Sequence, residues 1–139
     1  MRYLLDTNIL SEPAKPKPSP LVLARLSRFG NECATTSAVW HELWFGCFRL
    51  PESKRRQELQ QYLRQIADST MPILPYDEDC ATLHARLRSQ MAASGAPCSP
   101  VDLHIASVAL QYDLTLVTRN LRDFGQIPKL DLENWFEFT

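Results

Sequence analysis

The sequence predicts an α/β fold with a mostly parallel central sheet flanked by helices, because short apolar runs alternate with longer segments of helical periodicity. The apolar runs have the length of strands, and N-capping residues, prolines and glycines bound the longer segments. Strand–helix–strand units of this kind use right-handed crossovers and cover both faces of the sheet. With 139 residues, of which 45% are hydrophobic, we expect a single domain over residues 1–139.

The predicted sheet begins with Tyr3–Leu5, a short apolar run that ends at Asp6. Parallel sheets place their ligand sites at the carboxyl ends of strands, so the polar residues Asp6, Thr7 and Asn8 follow a favoured position. The stretch 12–20 is rich in prolines, which remove backbone donors and restrict their neighbours. We expect this stretch to be an irregular, mobile basic loop.

Capping signals and short apolar runs predict the remaining elements, although they do not determine the order of the strands. Pro51 and Gly95 separate successive helices. The predicted elements are a helix capped by Ser19 that ends at Gly30, a strand over Cys33–Thr36, a helix capped by Ser37 that runs to about Leu50, a helix from about Glu52 to Asp68, a strand over Met71–Leu74, a helix from about Glu78 to Ala93, a helix from Ser99 and Pro100 to about Tyr112, a strand over Thr115–Thr118, and a short strand over Leu130–Leu132.

Charge and hydropathy exclude two classes of protein. The net charge of −1 and the pI of about 6.3 argue against binding nucleic acid by bulk electrostatics, so any contact with RNA needs local basic patches. No apolar run approaches the roughly 20 residues that span a bilayer. We therefore expect a cytoplasmic protein that does not contact a membrane.

The cysteines and histidines do not form a recognisable zinc motif. Four cysteines are widely spaced without a Cys-x-x-Cys pair, and we expect them to be reduced, with Cys33 and Cys47 in the core. His41, His84 and His104 do not form a His-Glu-x-x-His arrangement. These patterns argue against a zinc hydrolase.

Two acidic residues occupy positions where burial is costly. Asp6 directly follows an apolar strand, so it needs hydrogen-bond donors or a cation nearby, or it caps the next helix. Glu42 lies in a helix that is apolar around most of its circumference, which is typical of a buried helix. We expect a cation to compensate Glu42, unless it pairs with Arg49 or shares an exposed stripe with His41.

Two further acids have local structural explanations. Asp102 matches the third helical position of a capping box that begins at Ser99. Asp123 matches the same position after Asn120, which is an alternative for the fourth metal-facing position. Thr118, at the end of a predicted strand, is a candidate hydroxyl donor that orients a metal-bound water.

A cluster of carboxylates without cysteine or histidine partners favours hard cations, hence Mg²⁺ or Mn²⁺. The predicted ligands are Asp6, Glu42, Asp102 and Asp123. A metal at such a site lowers the pKa of bound water and neutralises a phosphodiester during in-line displacement. The acids therefore predict metal-dependent cleavage of a phosphodiester, without a side-chain nucleophile.

These residues resemble those of PIN-domain ribonucleases, and specifically the VapC-type toxins of bacterial toxin–antitoxin pairs. Each motif is weak alone, but their order along nearly the whole chain is specific. The matching segments are 4–12, with Asp6-Thr7-Asn8, 37–46, with Glu42, 102–107, which begins with Asp102, 116–124, with Thr118-Arg119-Asn120 and Asp123, and the ending Leu132-Glu133-Asn134-Trp135.

The resemblance implies a five-stranded sheet and an endoribonuclease that leaves 5′-phosphate and 3′-hydroxyl ends. It implies that Asp6, Glu42 and Asp102 bind the metal with Asp123 as the fourth acid, and that Asn8 and Thr118 support them. It also implies a homodimer and a VapB-like antitoxin whose tail covers the site. The choice between Asp123 and Asn120 at the fourth position stays open.

Basic and aromatic residues suggest further surfaces. Arg119 and Arg122, beside the proposed fourth acid, are the predicted substrate-binding residues. The basic residues Lys15, Lys17, Arg86 and Arg88 are also consistent with an RNA groove. The aromatic residues of the Glu42 helix are predicted core and partner contacts: Trp40, Trp44, Phe45 and Phe48.

Three other functions are compatible with parts of the sequence. A phosphatase of the haloacid-dehalogenase kind also has an apolar strand that ends in Asp, but it needs a second Asp where this chain has Asn8. A solitary PIN-domain RNA-processing nuclease would use the same acids. A non-catalytic PIN-like scaffold that binds RNA or protein would not need mutually repelling carboxylates.

Overall fold

The computed structural model describes residues 1–96 and 98–138. Its centre is a five-stranded sheet with the strand order β3-β2-β1-β4-β5, and every pair of neighbours is parallel. The strands are β1 (Tyr3–Leu5), β2 (Cys33–Thr36), β3 (Ile73–Leu74), β4 (Thr115–Val117) and β5 (Leu132–Glu133). The predicted α/β class and parallel sheet are confirmed.

Seven α-helices in the described residues connect or flank these strands. They are α1 (Thr7–Leu10), α2 (Pro20–Phe29), α3 (Ser37–Phe48), α4 (Lys54–Asp68), α5 (Glu78–Ser94), α6 (Pro100–Gln111) and α7 (Leu121–Phe124). Within the described part of the chain, none of the helices is long and apolar enough to cross a bilayer.

The strand order places β1 at the centre of the sheet, between β2 and β4. The chain moves outward from β1 through β2 to β3 on one side, and through β4 to β5 on the other. The carboxyl ends of β1 and β4 therefore form a topological switch point, where open α/β sheets bind ligands. Leu5 pairs with Val117, so the residues that follow, Asp6 and Thr118, lie side by side.

The predicted start of α3 is wrong by one residue. Thr36, the last residue of β2, has an extended backbone, and its hydroxyl accepts the amide hydrogen of Val39 at 3.0 Å. Ser37 is therefore the first helical residue and not the cap. The serine caps of α2 and α6 are as predicted, with Ser19 accepting from Val22 and Ser99 accepting from Asp102.

The proline-rich stretch is more ordered than predicted. Glu12–Ala14 forms a 3₁₀ turn, which tolerates Pro13 because the first residues of a helical turn do not need their amide hydrogens. The buried carboxylate of Glu12 accepts the amide hydrogen of Ser19 at 2.9 Å, which ties the two ends of the loop together.

Three strands differ from the prediction: β4 ends at Val117, one residue before the predicted Thr118, and both edge strands have other bounds. The third strand is confined to Ile73–Leu74, where these residues pair with Thr35 and Thr36. The last strand lies at Leu132–Glu133 and pairs with Leu116 and Val117. Both segments are short edge strands, so their boundaries depend on pairing with a neighbour more than on their own composition.

An aromatic cluster joins the first strand to the segment that follows the last one. Trp135 is completely buried, and its ring centroid lies 5.1 Å from that of Tyr3 in an edge-to-face arrangement. Phe29 of α2 packs against Tyr3 at 5.3 Å. Edge-to-face pairs add to the large apolar burial of each ring, so this cluster stabilises the layer between β1 and α2.

We expect Trp135→Ala to lower the free energy of unfolding by about 3–5 kcal/mol, because it leaves a large cavity beside Tyr3. Urea denaturation followed by circular dichroism measures the change. Phe138→Ala is the control, since Phe138 is 85% exposed and its loss should change stability by less than about 0.5 kcal/mol. Equal effects of the two substitutions would contradict the assigned role of the cluster.

Candidate acidic active site

Asp6 is a buried carboxylate whose two oxygens both have donors. It follows β1 directly, has an extended backbone and is 6% exposed. Its Oδ1 accepts the amide hydrogen of Thr7 at 2.8 Å, which caps α1, and its Oδ2 accepts the hydroxyl of Thr118 at 2.8 Å. The carboxylate is therefore fixed by one bond from the helix that it caps and one from the residue that follows β4.

A small polar network surrounds the Thr118 hydroxyl. Besides donating to Asp6, this hydroxyl accepts the amide hydrogen of Asn120 at 3.1 Å and the side-chain amide of Asn8 at 3.5 Å. The side-chain oxygen of Asn8, Oδ1, accepts the backbone amide hydrogen of Arg119 at 3.1 Å. The structure thus brings the predicted supporting residues Asn8, Thr118 and Asn120 together around Asp6.

Three of the predicted acids line one open cavity of about 560 Å³ at the switch point. Asp6 comes from the end of β1, Glu42 from the middle of α3 and Asp102 from the first turn of α6. The other lining residues are Thr7, Asn8, Ser11, Lys15, Val101, Ile105 and Asn120.

Asp123 lies in a neighbouring cavity of about 520 Å³, together with Cys98, Ser99 and Asp102. Asp102 lines both cavities, so it connects Asp123 to the other acids. Asn120, the alternative fourth residue, lines the cavity of Asp6. Its side chain makes no capping hydrogen bond to α7.

The predicted burial of Glu42 is wrong. Its side chain is 41% exposed and lies 3.8 Å from the imidazole of His41, which is the shared exposed stripe considered above. Only one stripe of α3 is buried, formed by Val39, Leu43 and Cys47. The apolar composition of α3 misled the prediction because it also supplies an open aromatic surface with Phe45 and Phe48 exposed.

Burial and the charges of neighbouring acids shift the pKa values of Asp6 and Asp102. Burial raises the pKa of Asp6, and the charge of Asp123 adds to the rise, while hydrogen bonds from Thr118 and Thr7 oppose it. Burial also raises the pKa of Asp102, with further contributions from Asp6 and Asp123 and an opposing one from Ser99. Both carboxylates would be stabilised in their charged form by a cation between them.

The donor set fits a hydrated hard cation. Within residues 1–96 and 98–138, no three Asp, Glu, His or Cys side chains already form a complete metal-binding group. Mg²⁺ commonly keeps several waters and binds through one or two carboxylates, so a magnesium site does not require three protein ligands. The cavity offers oxygen donors and repelling carboxylates with raised pKa values, which agrees with the chemistry of such an ion.

The basic residues divide between different surfaces. Lys15 lines the acidic cavity, and the guanidinium of Arg119 lies 4.3 Å from the ring centroid of Phe136. Arg122 is exposed on α7. Arg86 and Arg88 line two other cavities, so they do not belong to a groove at the acidic site.

Sequence reasoning missed Glu12, which is 4% exposed and lies on the segment that borders the cavity. Glu12 follows the apolar pair Ile9-Leu10 after one residue, Ser11. This closeness to a buried segment was the signal in the sequence that Glu12 could be buried too. The prolines that follow obscured this signal, because they favoured an irregular loop over an anchored one.

Residues 3–130 match the model of the PIN domain, which covers most of the chain. This chain belongs to the PIN-domain family. Among its relatives, Toxin FitB of Neisseria gonorrhoeae is 36% identical over 127 residues, covering 87% of this chain and 89% of FitB. Ribonuclease VapC2 of Rickettsia felis is 34% identical over 137 residues, covering 97% of this chain and 98% of VapC2. The chain is thus a VapC-type PIN domain.

Solved structures of the same two systems share the whole fold of this PIN domain. The crystal structure of FitAcB from Neisseria gonorrhoeae superposes with a TM-score of 0.89 at 30% identity, covering 98% of this chain and 99% of that one. The crystal structure of VapBC2 from Rickettsia felis, bound to a DNA fragment from their promoter, gives a TM-score of 0.84 at 31% identity, covering 97% and 99%. The likeness spans every strand that positions the acids.

We expect the substitution Asp6→Asn to stabilise the metal-free PIN domain at neutral pH. The pKa of Asp6 is higher in the folded state than in the unfolded state. Its carboxyl therefore stabilises the fold at pH values below the unfolded-state pKa, and this stabilisation is lost as the pH rises through the folded-state pKa. Asparagine keeps the oxygen that caps α1 and removes the charge, and its amide nitrogen can donate to the Thr118 hydroxyl where Oδ2 accepted from it. Thermal unfolding in EDTA from pH 4 to 8 should show the advantage of the variant growing with pH.

Asp77→Asn is the matched control for this pH effect, because Asp77 is also an aspartate N-cap. The amide hydrogen of Cys80 lowers the pKa of Asp77, so its stabilising contribution is present above the unfolded-state pKa and is lost as pH falls. Asp77→Asn should therefore be less stable than wild type at neutral pH. The same sign for both variants would contradict the electrostatic analysis.

Proposed function

We propose that this PIN domain is a Mg²⁺- or Mn²⁺-dependent endoribonuclease and acts as the toxin of a VapBC-type toxin–antitoxin pair in the cytoplasm. The observation that carries the proposal is the convergence of Asp6, Glu42 and Asp102 on one cavity at the switch point of the sheet. The relatives named as a toxin and as a ribonuclease support it.

In this proposal, Asp6, Glu42, Asp102 and Asp123 hold the metal. When bound, the ion supplies an activated water and neutralises charge on the phosphodiester. Thr118 and Thr7 keep the Asp6 carboxylate in one orientation through their hydrogen bonds. The role of this rigidity is to present the carboxylate without reorganisation when RNA binds.

Asn8 and Asn120 complete the support around Thr118. The Asn8 side chain joins the Thr118 hydroxyl to the amide of Arg119, so it fixes the turn after β4. Arg119 and Arg122 lie on or beside this turn, where they bind the RNA backbone in the proposed function. Position 8 also argues against the phosphatase alternative, because its amide supports the network and does not supply a second acid.

The raised pKa values of Asp6 and Asp102 favour a catalytic metal site over a non-catalytic scaffold. Burial and repulsion make these carboxylates unfavourable in the absence of a cation. A surface that only bound RNA would gain from basic residues at these positions. The solitary RNA-processing nuclease shares the whole site and differs only in the absence of an antitoxin.

The proposed protein partners are a VapB-like antitoxin and a second copy of this chain. The solved neighbours are described as FitAcB and VapBC2 assemblies. The open aromatic surface of α3, with Phe45 and Phe48 exposed and Trp40 and Trp44 half-buried, supplies the apolar area that protein interfaces use. It supports the proposal that part of this surface is covered in the assembled protein.

We expect Asp6→Asn to reduce RNA cleavage by at least about 10²-fold, because a metal ligand and its fixed charge are lost. Cleavage of a labelled bulk RNA is measured with Mg²⁺, with Mn²⁺ and with EDTA. Wild type should cut only with metal, and the exposed Asp131→Asn should cut like wild type. Cutting in EDTA that survives Asp6→Asn would refute the mechanism.

The fourth position is tested by comparing Asp123→Asn with Asn120→Ala. We expect Asp123→Asn to raise the Mg²⁺ concentration for half-maximal cleavage by about 10-fold, since it removes a charge that acts on Asp6 and Asp102. Asn120→Ala should leave that concentration unchanged. The reverse pattern would assign the fourth position to Asn120.

A further inference from the structure

The buried Glu12 carboxylate has no role in the proposed metal site, although it lies one 3₁₀ turn away from residues of the cavity. The Glu12 side chain is 6% exposed, and a carboxylate buried to this degree requires strong partners. Its Oε2 accepts the amide hydrogen of Ser19 at 2.9 Å, and its Oε1 lies 3.1 Å from the ammonium of Lys15. Although burial opposes ionisation, these partners and the charge of Arg119 lower the pKa of Glu12.

Contacts from α4 hold the same segment from the other side. The hydroxyl of Tyr62 donates to the carbonyl of Leu10, and the guanidinium of Arg55 donates to the carbonyl of Ala14. The backbone on both sides of Glu12 is therefore tied to α4, while its carboxylate is tied to the start of α2. These bonds fix the position of the turn from which Lys15 extends.

Lys15 is the cation that this anchor places at the acidic cavity. Its side chain lines the cavity with Asp6, Glu42 and Asp102, yet its ion pair in the described residues is with Glu12. An ammonium has three N–H donors, and one carboxylate oxygen 3.1 Å away does not engage all of them. The side chain is 49% exposed, so the remaining donors are accessible to a ligand.

We propose that Lys15, positioned by Glu12, binds a phosphate oxygen of the RNA strand that occupies the acidic cavity. The inference rests on the proposed ribonuclease function and adds a substrate-binding residue and a positioning residue to it. An anionic backbone that approaches three carboxylates needs compensating charge on the protein side. Lys15 supplies that charge from the loop at the edge of the cavity.

The neighbouring Lys17 provides a matched control. It lies on the same proline-rich loop and is exposed, but it does not line the acidic cavity. Lys15→Gln and Lys17→Gln remove the same charge from the same loop. Lys15→Arg keeps the charge and serves as the conservative variant.

A double variant separates substrate binding from loop stability. Lys15→Gln alone leaves Glu12 buried without its ammonium, whereas Glu12→Gln/Lys15→Gln removes both charges and keeps an acceptor for the amide of Ser19. The double variant also has the net charge of wild type. If Lys15 only stabilised the loop, the double variant would recover RNA affinity.

The experiment measures binding of a short fluorescent RNA hairpin in EDTA, where the proposed cleavage cannot proceed, over a range of salt concentrations. We expect Lys15→Gln and the double variant each to bind about 5- to 10-fold more weakly at low salt. Each should also lose about 0.7–0.9 from the slope of log affinity against log salt, as expected for one phosphate contact. Lys17→Gln and Lys15→Arg should stay within about twofold of wild type.

Equal losses for Lys15→Gln and Lys17→Gln, or recovery in the double variant, would overturn the inference. Cleavage with Mg²⁺ is measured in parallel on wild type. A wild type that binds RNA through Lys15 but never cuts it would refute the ribonuclease function and leave the phosphate contact standing. If wild type cuts RNA but Lys15→Gln does not bind RNA more weakly than Lys17→Gln, the ribonuclease function stands and the phosphate contact is refuted.

Discussion

The hydrogen bond from Thr118 to Asp6 is the interaction on which the arrangement of the site depends. It joins the carboxyl ends of β4 and β1, two strands that become neighbours only through the crossover topology. The bond also leaves the Thr118 hydroxyl available to accept from Asn120 and Asn8, so one side chain orients both the acid and the turn beside it. In a buried, low-dielectric setting such a network is stronger than its members would be in water.

Much of the fold could be predicted from the sequence because its signals are local. Apolar runs gave the strands, and the serine and proline pairs at 19–20 and 99–100 gave the starts of two helices. The weaker predictions fell on short edge strands and on the cap of α3, where Thr36 and Ser37 are chemically equivalent candidates. Strand order is a long-range property and is absent from any local pattern.

The physical reasons for choosing the site residues agree with the structure for some residues and not for others. Asp6 follows from its place after β1, and the structure puts it at the switch point. Glu42 was chosen for a burial that it does not have, since its helix is apolar on an open side. The capping role of Ser99 toward Asp102 is real, but it does not prevent Asp102 from lining the cavity. Glu12 was missed because its partners, Lys15 and Ser19, meet it only in the folded loop.

The separation of Asp6 and Thr118 by 112 residues has a kinetic consequence. A contact between such distant residues forms only after the intervening chain has lost most of its freedom, and parallel pairing makes that step slow. A chain in which β1 and β4 have not yet paired does not bring Asp6 and Thr118 together and has no assembled site. The site therefore forms together with the β1–β4 pairing that completes the sheet. A folding chain gains the arranged acids in one step and not gradually.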